Sequence, residues 1–557
     1  MSIVSIRGPC SRFVALSNRV IVGILLAVAL GAGAVFGQGH TLWQDGGVQL
    51  CGPSASTPMT AVSDGAGGAI VVWEDVRQWP DGIYAQRVNG SGVPLWTDSG
   101  IAIDDSSIAG RICVVADGEN GVIVVWGYSS TGASIAVQRL DAEGTPLWGA
   151  NGLEIRPLVG NPPLDNHPAV VSDGHGGAIV AWTANVVVSG PLDTLIACRV
   201  DSSGTKRWET VIYADTLDVA APCLCEDGLG GVIVAWQEYE AGVRHVRVQR
   251  IDSAGAIRWG ATGVRACTLS TTQGARACVV VGQSRFVVGW FGGAGTWQHR
   301  AQMFDLAGTR LWGLAGMPVS GGFSYSSSSV GLPAGSAGQS VWAWSENRTV
   351  PDEFYAQKLD SAGTRCWDSA GVWFGGTDTS WIRGFSATTD GRGGAIAAWA
   401  LYRSRLNWDV HAQHVDSAGN LCWTDTGLAV CAGDDNVRYP VAVTDGEGGA
   451  IIAWLDDRGL YAQRVADGAA VEETVNDECR TMNVVLTVTR GVLFLPEATS
   501  RKPQAASLWD PAGRRAAVLK SGPNDIRHLA PGVYFVREER QASSRRLQVV
   551  RKVVITR

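Results

Sequence analysis

The sequence predicts an all-β chain: an eight-bladed β-propeller of four-stranded blades, closed by its N-terminal strand, followed by a small C-terminal Ig-like β-sandwich. Three observations predict it. Tryptophan recurs at Trp73, Trp126, Trp182, Trp236, Trp290, Trp344, Trp399 and Trp454, in steps of 53 to 56 residues. A second series, Trp43, Trp96, Trp148, Trp208, Trp259, Trp312, Trp367 and Trp423, interleaves with the first, so the two take 16 of the 23 tryptophans. Between them the chain repeats one phrase, best seen from Pro440 to Val465. Repetition at this period, with several short strands per unit, marks a propeller blade.

Within the phrase, Val441 and Val443 alternate with other residues as in a half-buried strand. Asp445-Gly446-Glu447-Gly448-Gly449 then forms a turn in which glycine supplies positive φ. A second strand, Ala450 to Trp454, and a third, Tyr461 to Val465, follow. After a polar D-x-x-G turn, a short fourth strand is expected to carry a Leu-Trp pair, as in Asp141 to Trp148. The array opens on an orphan fourth strand, Leu42 to Leu50, and ends on three strands without a following Leu-Trp pair. The first strand therefore completes the last blade, which removes two exposed sheet edges at once.

The repeat explains most of the composition. Each indole can bury about 150–250 Å², so two per blade packed between sheets are enough to hold a ring together. Gln86, Gln138, Gln249, Gln302, Gln357, Gln413 and Gln463 share one third-strand position, where a recurring amide is expected to satisfy backbone groups between blades. Trp73/Asp75/Arg77, Trp344/Glu346/Arg348 and Trp454/Asp456/Arg458 share a W-x-[DE]-x-R pattern that places acid and arginine on one strand face as an ion pair.

The ends differ from the body. Arg7, Arg12 and Arg19 precede an uncharged run from Val20 to Phe36 with small residues at its end, the pattern of an export signal over residues 1–37. No other apolar run is long enough to span a membrane. The propeller is assigned to 38–470, a linker to 471–487 and a C-terminal domain to 488–557. Residues 500–557 carry 13 basic and 4 acidic side chains, whereas the residues between the two ends sum to a net charge of -19. An acidic body excludes nucleic acid as the expected partner.

Twelve cysteines in an exported chain suggest disulfides. Their positions point instead to core filling: Cys51, Cys267 and Cys431 each lie eight residues after a repeat tryptophan. Equivalent positions in different blades are too far apart to bridge.

The stretch from Tyr355 to Trp367, with Asp360, Gly363 and Trp367, resembles the tryptophan-docking motif of quinoprotein eight-bladed propellers. The spacing is one residue shorter between Asp and Gly than in that family, and the same holds at Asp141/Gly144/Trp148 and Asp416/Gly419/Trp423. It is also similar to the Asp-box of sialidase propellers. The resemblance implies architecture rather than quinone binding, because the vicinal cysteine pair of quinoproteins is absent here.

The C-terminal segment carries Leu508-Trp509-Asp510-Pro511-Ala512-Gly513-Arg514, then Pro531-Gly532-Val533-Tyr534, and ends on Lys552 through Arg557. It resembles the C-terminal sorting domain of type IX secretion substrates. That family implies a small β-sandwich and, for Gly513, Arg514, Pro531, Gly532, Tyr534, Lys552 and Arg557, recognition by the secretion machinery of a bacterial outer membrane. A secreted or outer-surface location follows from the resemblance.

No H-E-x-x-H, G-x-S-x-G or P-loop occurs, so no catalytic residue, metal site or cofactor is expected. His411 and His414, three apart on a strand, face opposite sides and cannot share one ion. The D-G-x-G-G turns lack the spaced carboxylates that calcium requires. What remains is aromatic. Trp79, Trp297 and Trp408 fall between the second and third strands of their blades, and Trp381 before the first strand of the blade that holds Trp408. Both kinds of loop emerge on one face of a propeller. Four loop indoles there suit either local packing under a loop or stacking on sugar rings or apolar groups; the second reading favours a binding or adhesion module whose partner is a glycan or cell-surface ligand. The alternative is an extracellular polysaccharide-active enzyme with its site at the channel mouth, built from carboxylates of different blades.

Overall fold

A computed structural model describes residues 39–467, apart from 78, 80, 106–108, 129–133, 157–167, 188–190, 216–218, 241, 269–272, 283, 293–296, 322–328, 335–337, 347–352, 376–381, 405–406, 425 and 433–435, and then residues 487–489, 492–495, 506–509, 514–519, 522–525, 532–542 and 545–555. The described residues are strands and turns, with no helix that could cross a membrane. The chain divides into two compact units, Met1–Ala470 and Val471–Arg557.

The first unit is a ring of eight antiparallel sheets. Blade 1 consists of Ala55–Ser63, Ala69–Asp75, Gly82–Val88 and Ile101–Asp104, hydrogen-bonded in sequence order. Blades 2 to 7 repeat this order over 109–156, 169–215, 219–265, 273–318, 329–375 and 382–431. Blade 8 takes Arg438–Thr444, Ala450–Asp456 and Gly459–Asp467 from the end of the array. Its outer edge comes from the beginning, where Gly39–Thr41 and Val48–Cys51 both pair with Gly459–Asp467. Each blade's first strand touches that of the next, and Arg438–Thr444 touches Ala55–Ser63, which completes the circle.

The second strands read as continuous apolar runs because each is buried on both faces. In Ala69–Asp75, Ile70 and Val72 pack against blade 2, while Ala69, Val71 and Trp73 pack against blade 8. Eight such clusters, one per seam, form the core. Burying an indole in each supplies several kcal/mol as an upper estimate, and all eight tryptophans of the first series lie at 0–1% exposure.

The fourth strand lies further along than the sequence suggests. Leu147 and Trp148 sit in a turn held by one bridge, Leu140 to Pro146, and the fourth strand of that blade is Leu153–Arg156. The reason is the recurring glutamine. Gln138 Oε1 accepts the Trp148 N–H at 3.0 Å, and its Nε2 donates to the Gly149 carbonyl at 2.6 Å. These are strand-like bonds made by a side chain, so the backbone is free to turn. The amide thus acts within a blade, not between blades. In blade 8 it spans the closure: Trp43 N donates to Gln463 Oε1 at 2.9 Å. Blade 3 has Cys198 at this position, and there the turn is replaced by a continuous, twice-bulged strand, Lys206–Asp215, that includes Trp208.

The described cysteines are unbridged: Cys51, Cys198, Cys225, Cys267 and Cys431 are buried, while Cys113, Cys223 and Cys422 are half-buried and Cys366 is exposed.

In the second unit, a five-stranded sheet is ordered Thr487–Thr489, Arg545–Ile555, Gly532–Ala542, Ala506–Trp509, Arg515–Leu519. Val492–Leu495 pairs with Gly522–Asp525 as a separate ribbon. Gly532 and Tyr534 lie on one long strand and Lys552 on its antiparallel partner, with Tyr534 opposite Val553. Arg514 is exposed just before Arg515–Leu519. Gly513, Pro531 and Arg557, like the N-terminal apolar run, lie outside the described residues.

Candidate functional site

Two sets of polar side chains recur around the ring, one at each end of the second strand. At the hairpin end, Asp117 closes its turn by accepting the N–H groups of Glu119 and Gly121 on Oδ1, at 2.8 and 2.7 Å. Gly118 in that turn holds φ near 84°. The other oxygen takes an arginine from the third strand: Arg139 lies 2.9 Å from Asp117 Oδ2. The same pair forms at Arg87–Asp64, Arg199–Asp173 and Arg250–Asp227, each at 2.9 Å, and at Arg464–Asp445 at 2.8 Å. These five hairpin carboxylates are thus each committed to an arginine of the third strand. The sequence indicated the turn, but not the arginine, because partner and turn stand about 22 residues apart.

The second tryptophan series ties neighbouring blades. Trp96 Nε1 donates to the Ala142 carbonyl of blade 2 at 3.1 Å, and Trp367 Nε1 to Ser417 of blade 7 at 3.3 Å. Six of these rings cover the glycine of the D-x-x-G turn they reach, Trp43 covers Gly92 of an N-x-x-G turn, and Trp423 covers Gly39. A Cβ on Gly419 would lie 2.7 Å from Trp367 Cδ1. All eight members make this contact, the last using Asp467 Oδ1 as acceptor for Trp423 at 2.8 Å. The motif with the shorter Asp–Gly spacing therefore docks tryptophan on the next blade.

At the loop end, Asp75 receives Arg77 at 2.6 Å and the Trp73 indole at 2.9 Å. Burial raises its carboxyl, but these donors outweigh burial and hold it down at about 2. Asp456 repeats the arrangement with Arg458 at 2.6 Å and Trp454 at 3.2 Å. Glu346 accepts the Trp344 indole at 2.8 Å, and Arg348 lies outside the described residues. The acid thus also satisfies a buried indole, a contact the i, i+2 spacing permits on one strand face. Beside Asp75, Glu74 has a different environment. Burial first and the Asp81 charge second push its carboxyl up to about 7.

The loop tryptophans do not form one cluster. Trp79 is 79% exposed in blade 1. Trp297, 40% exposed, stacks on Phe291 with ring centroids 5.3 Å apart in blade 5. Blades 1 and 5 stand opposite each other in an eight-membered ring. Trp408 belongs to the strand Asn407–Val415, where it is 8% exposed and meets Tyr402 edge-on at 5.1 Å. Its ring packs among Val410, Val430 and Val437, which leaves no broad face for a sugar. Trp381 lies outside the described residues.

Comparison with known proteins returns distant similarity of fold. No protein-family model and no curated relative matches the chain. Among solved structures, a lectin from Burkholderia pseudomallei is similar at 14% identity and a TM-score of 0.45, covering 68% of this chain and 100% of the lectin. A puromycin hydrolase mutant is similar at 17% identity and a TM-score of 0.37, covering 62% of this chain. The chain spans half the length (50%) of that hydrolase. A mutant NanB sialidase from Streptococcus pneumoniae is similar at 8% identity and a TM-score of 0.32, covering 76% and 92%. Lectin, hydrolase and sialidase are different functions, and the eight-bladed ring rests on the strand topology above.

Proposed function

We propose that this propeller is a non-enzymatic binding or adhesion module, exported through a type IX-like route and displayed outside the cell. In this reading the N-terminal apolar run directs export, and the basic C-terminal segment is the part met by the secretion machinery. The loop face of the ring then contacts a glycan or another cell-surface ligand.

The observation that carries the reading is Trp79, an indole 79% exposed at the rim of an otherwise tightly packed ring. An apolar ring of that size held in water is a natural stacking platform for a sugar. Trp297, across the ring, is a second platform, so an extended ligand or a multivalent surface fits better than a single small sugar. Glycan-array and cell-wall binding of the intact chain tests this. Trp79→Ala is expected to weaken binding at least about tenfold, in the range of a lost aromatic anchor. Unchanged binding with Trp79→Ala and Trp297→Ala together would reject the loop face. Export is tested apart from binding: a chain lacking residues 488–557 should fail to reach the medium.

One observation favours the enzymatic alternative. Glu74, raised to about 7 beside Asp81, has the environment of a carboxyl acid working near neutral pH. Polysaccharide turnover abolished by Glu74→Gln would select that alternative.

A further inference from the structure

Five blades close their hairpin with an Asp–Arg pair. Blade 7 keeps the hairpin acid, Asp390, but carries His414 at the arginine position. The shorter imidazole is almost completely buried. Its Nε2 faces Asp390 Oδ2 at 3.1 Å, and its Nδ1 faces Asp467 Oδ1 at 2.8 Å. Cys422 stands directly across the hairpin, where its backbone N–H bonds the His414 carbonyl at 2.8 Å. The imidazole nitrogen, the Cys422 Sγ and an Asp467 carboxylate oxygen lie within 4.8 Å of one another. Among the described residues this is the one such convergence of three donors.

We infer that His414 Nδ1, Cys422 Sγ and Asp467 form a zinc-type divalent-cation site at the seam where the ring closes. The donor set suits that ion: one imidazole, one thiol and one carboxylate, with bonds of about 2.0–2.3 Å. The remaining contacts are those a zinc site uses around its ligands. With the ion bound, Asp390 would accept the proton on Nε2, and Nδ1, which otherwise faces Asp467 Oδ1, would serve as the ligand. The Trp423 indole donates to Asp467 Oδ1 at 2.8 Å and orients the carboxylate. Binding displaces the Cys422 thiol proton and any proton on Nδ1 to solvent, with no change of oxidation state. Cys422 is half-buried and the Asp467 side chain 35% exposed, so the ion can enter from outside and water can complete its shell.

The position gives the ion a role. Asp467 ends the last strand of blade 8 and pairs with Gly39, the first residue of the closing strand. An ion shared by His414 and Asp467 would fasten blade 7 to that closure.

The test uses the full chain, without an affinity tag, freed of metal by a chelator. Titration with Zn²⁺ against a chromophoric competitor should show one equivalent bound, and Co²⁺ should give a thiolate charge-transfer band. Cys422→Ser should weaken Zn²⁺ at least about tenfold and abolish the band. His414→Arg restores the residue of five other blades, so it should fold normally yet bind no zinc. Zn²⁺ should raise the melting temperature of the parent chain and leave that of His414→Arg unmoved. The site is overturned if the parent chain binds no zinc, or if it binds equally well with Cys422→Ser and His414→Arg.

Discussion

Blades 2 and 5 solve one problem in opposite ways. Blade 2 buries a charged pair, with Asp117 fully enclosed and Arg139 6% exposed. Blade 5 has Val281 and Met303 at the same two positions, and both join the apolar cluster of its seam. The hairpin survives: Val281 N still bonds the Arg285 carbonyl at 3.1 Å, as Asp117 N bonds Gly121 at 3.2 Å. The unit that must be preserved is therefore the pair. Desolvating two charges nearly cancels their attraction, so exchange of both for apolar groups is tolerated, whereas a single buried charge is not. Blade 6 keeps one charge and gives it a different partner. Ala334 replaces the acid, and Lys358 turns its ammonium to the Ser417 carbonyl of the next blade at 3.3 Å.

The comparison breaks most visibly if one partner is removed from blade 2. Arg139→Met alone leaves Asp117 buried beside no cation and should cost about 3–5 kcal/mol in chemical denaturation. Adding Asp117→Val, which copies blade 5, should recover most of that loss. Equal costs for the single and double variants would show that the charges act independently.

A smaller effect is expected where neighbouring blades touch. Gly419 and Gly118 have similar backbone angles, φ 91° and 84°. A Cβ at Gly419 would meet Trp367 at 2.7 Å, while none at Gly118 meets anything within 4 Å. Gly118→Ala should cost only the backbone term of about 1–2 kcal/mol. Gly419→Ala adds overpacking and should cost about 1–3 kcal/mol more by the same measurement.

The smallest expected effect separates two adjacent acids of blade 1. Asp75, held at about 2, contributes stability that is present above pH 3.8 and is lost as pH falls toward 2. Glu74, raised to about 7, opposes folding increasingly from pH 4.5 up to 7, where its charge is forced on in a half-buried place. Glu74→Gln should thus raise the melting temperature at pH 8 and leave it unchanged at pH 4. Asp75→Asn should lower it at pH 8, because Arg77 and the Trp73 indole lose their carboxylate.

Architecture was legible in the sequence because its causes are local and repeated. Alternation, Gly-rich turns and indoles at a fixed period recur in each blade, and the offset of Trp43 from Trp454 showed that the two ends share a blade. The fourth strand was misplaced because Gln138 replaces strand bonds with side-chain bonds, which no pattern of apolar residues reveals. The loop tryptophans looked equivalent in one dimension. In the ring, Trp79 is in water, Trp297 leans on Phe291 and Trp408 is core.

The sequence by itself determined the first three strands of each blade, the number of blades and the closure, since each depends on neighbours in the chain or on strict repetition. Tertiary structure alone decided which charges distant in the chain meet. Asp117 finds Arg139 across a sheet, and His414 finds Asp467, 53 residues away, across a seam between blades. Such encounters depend on which side chains converge once the ring closes, and spacing along the chain does not encode that distance.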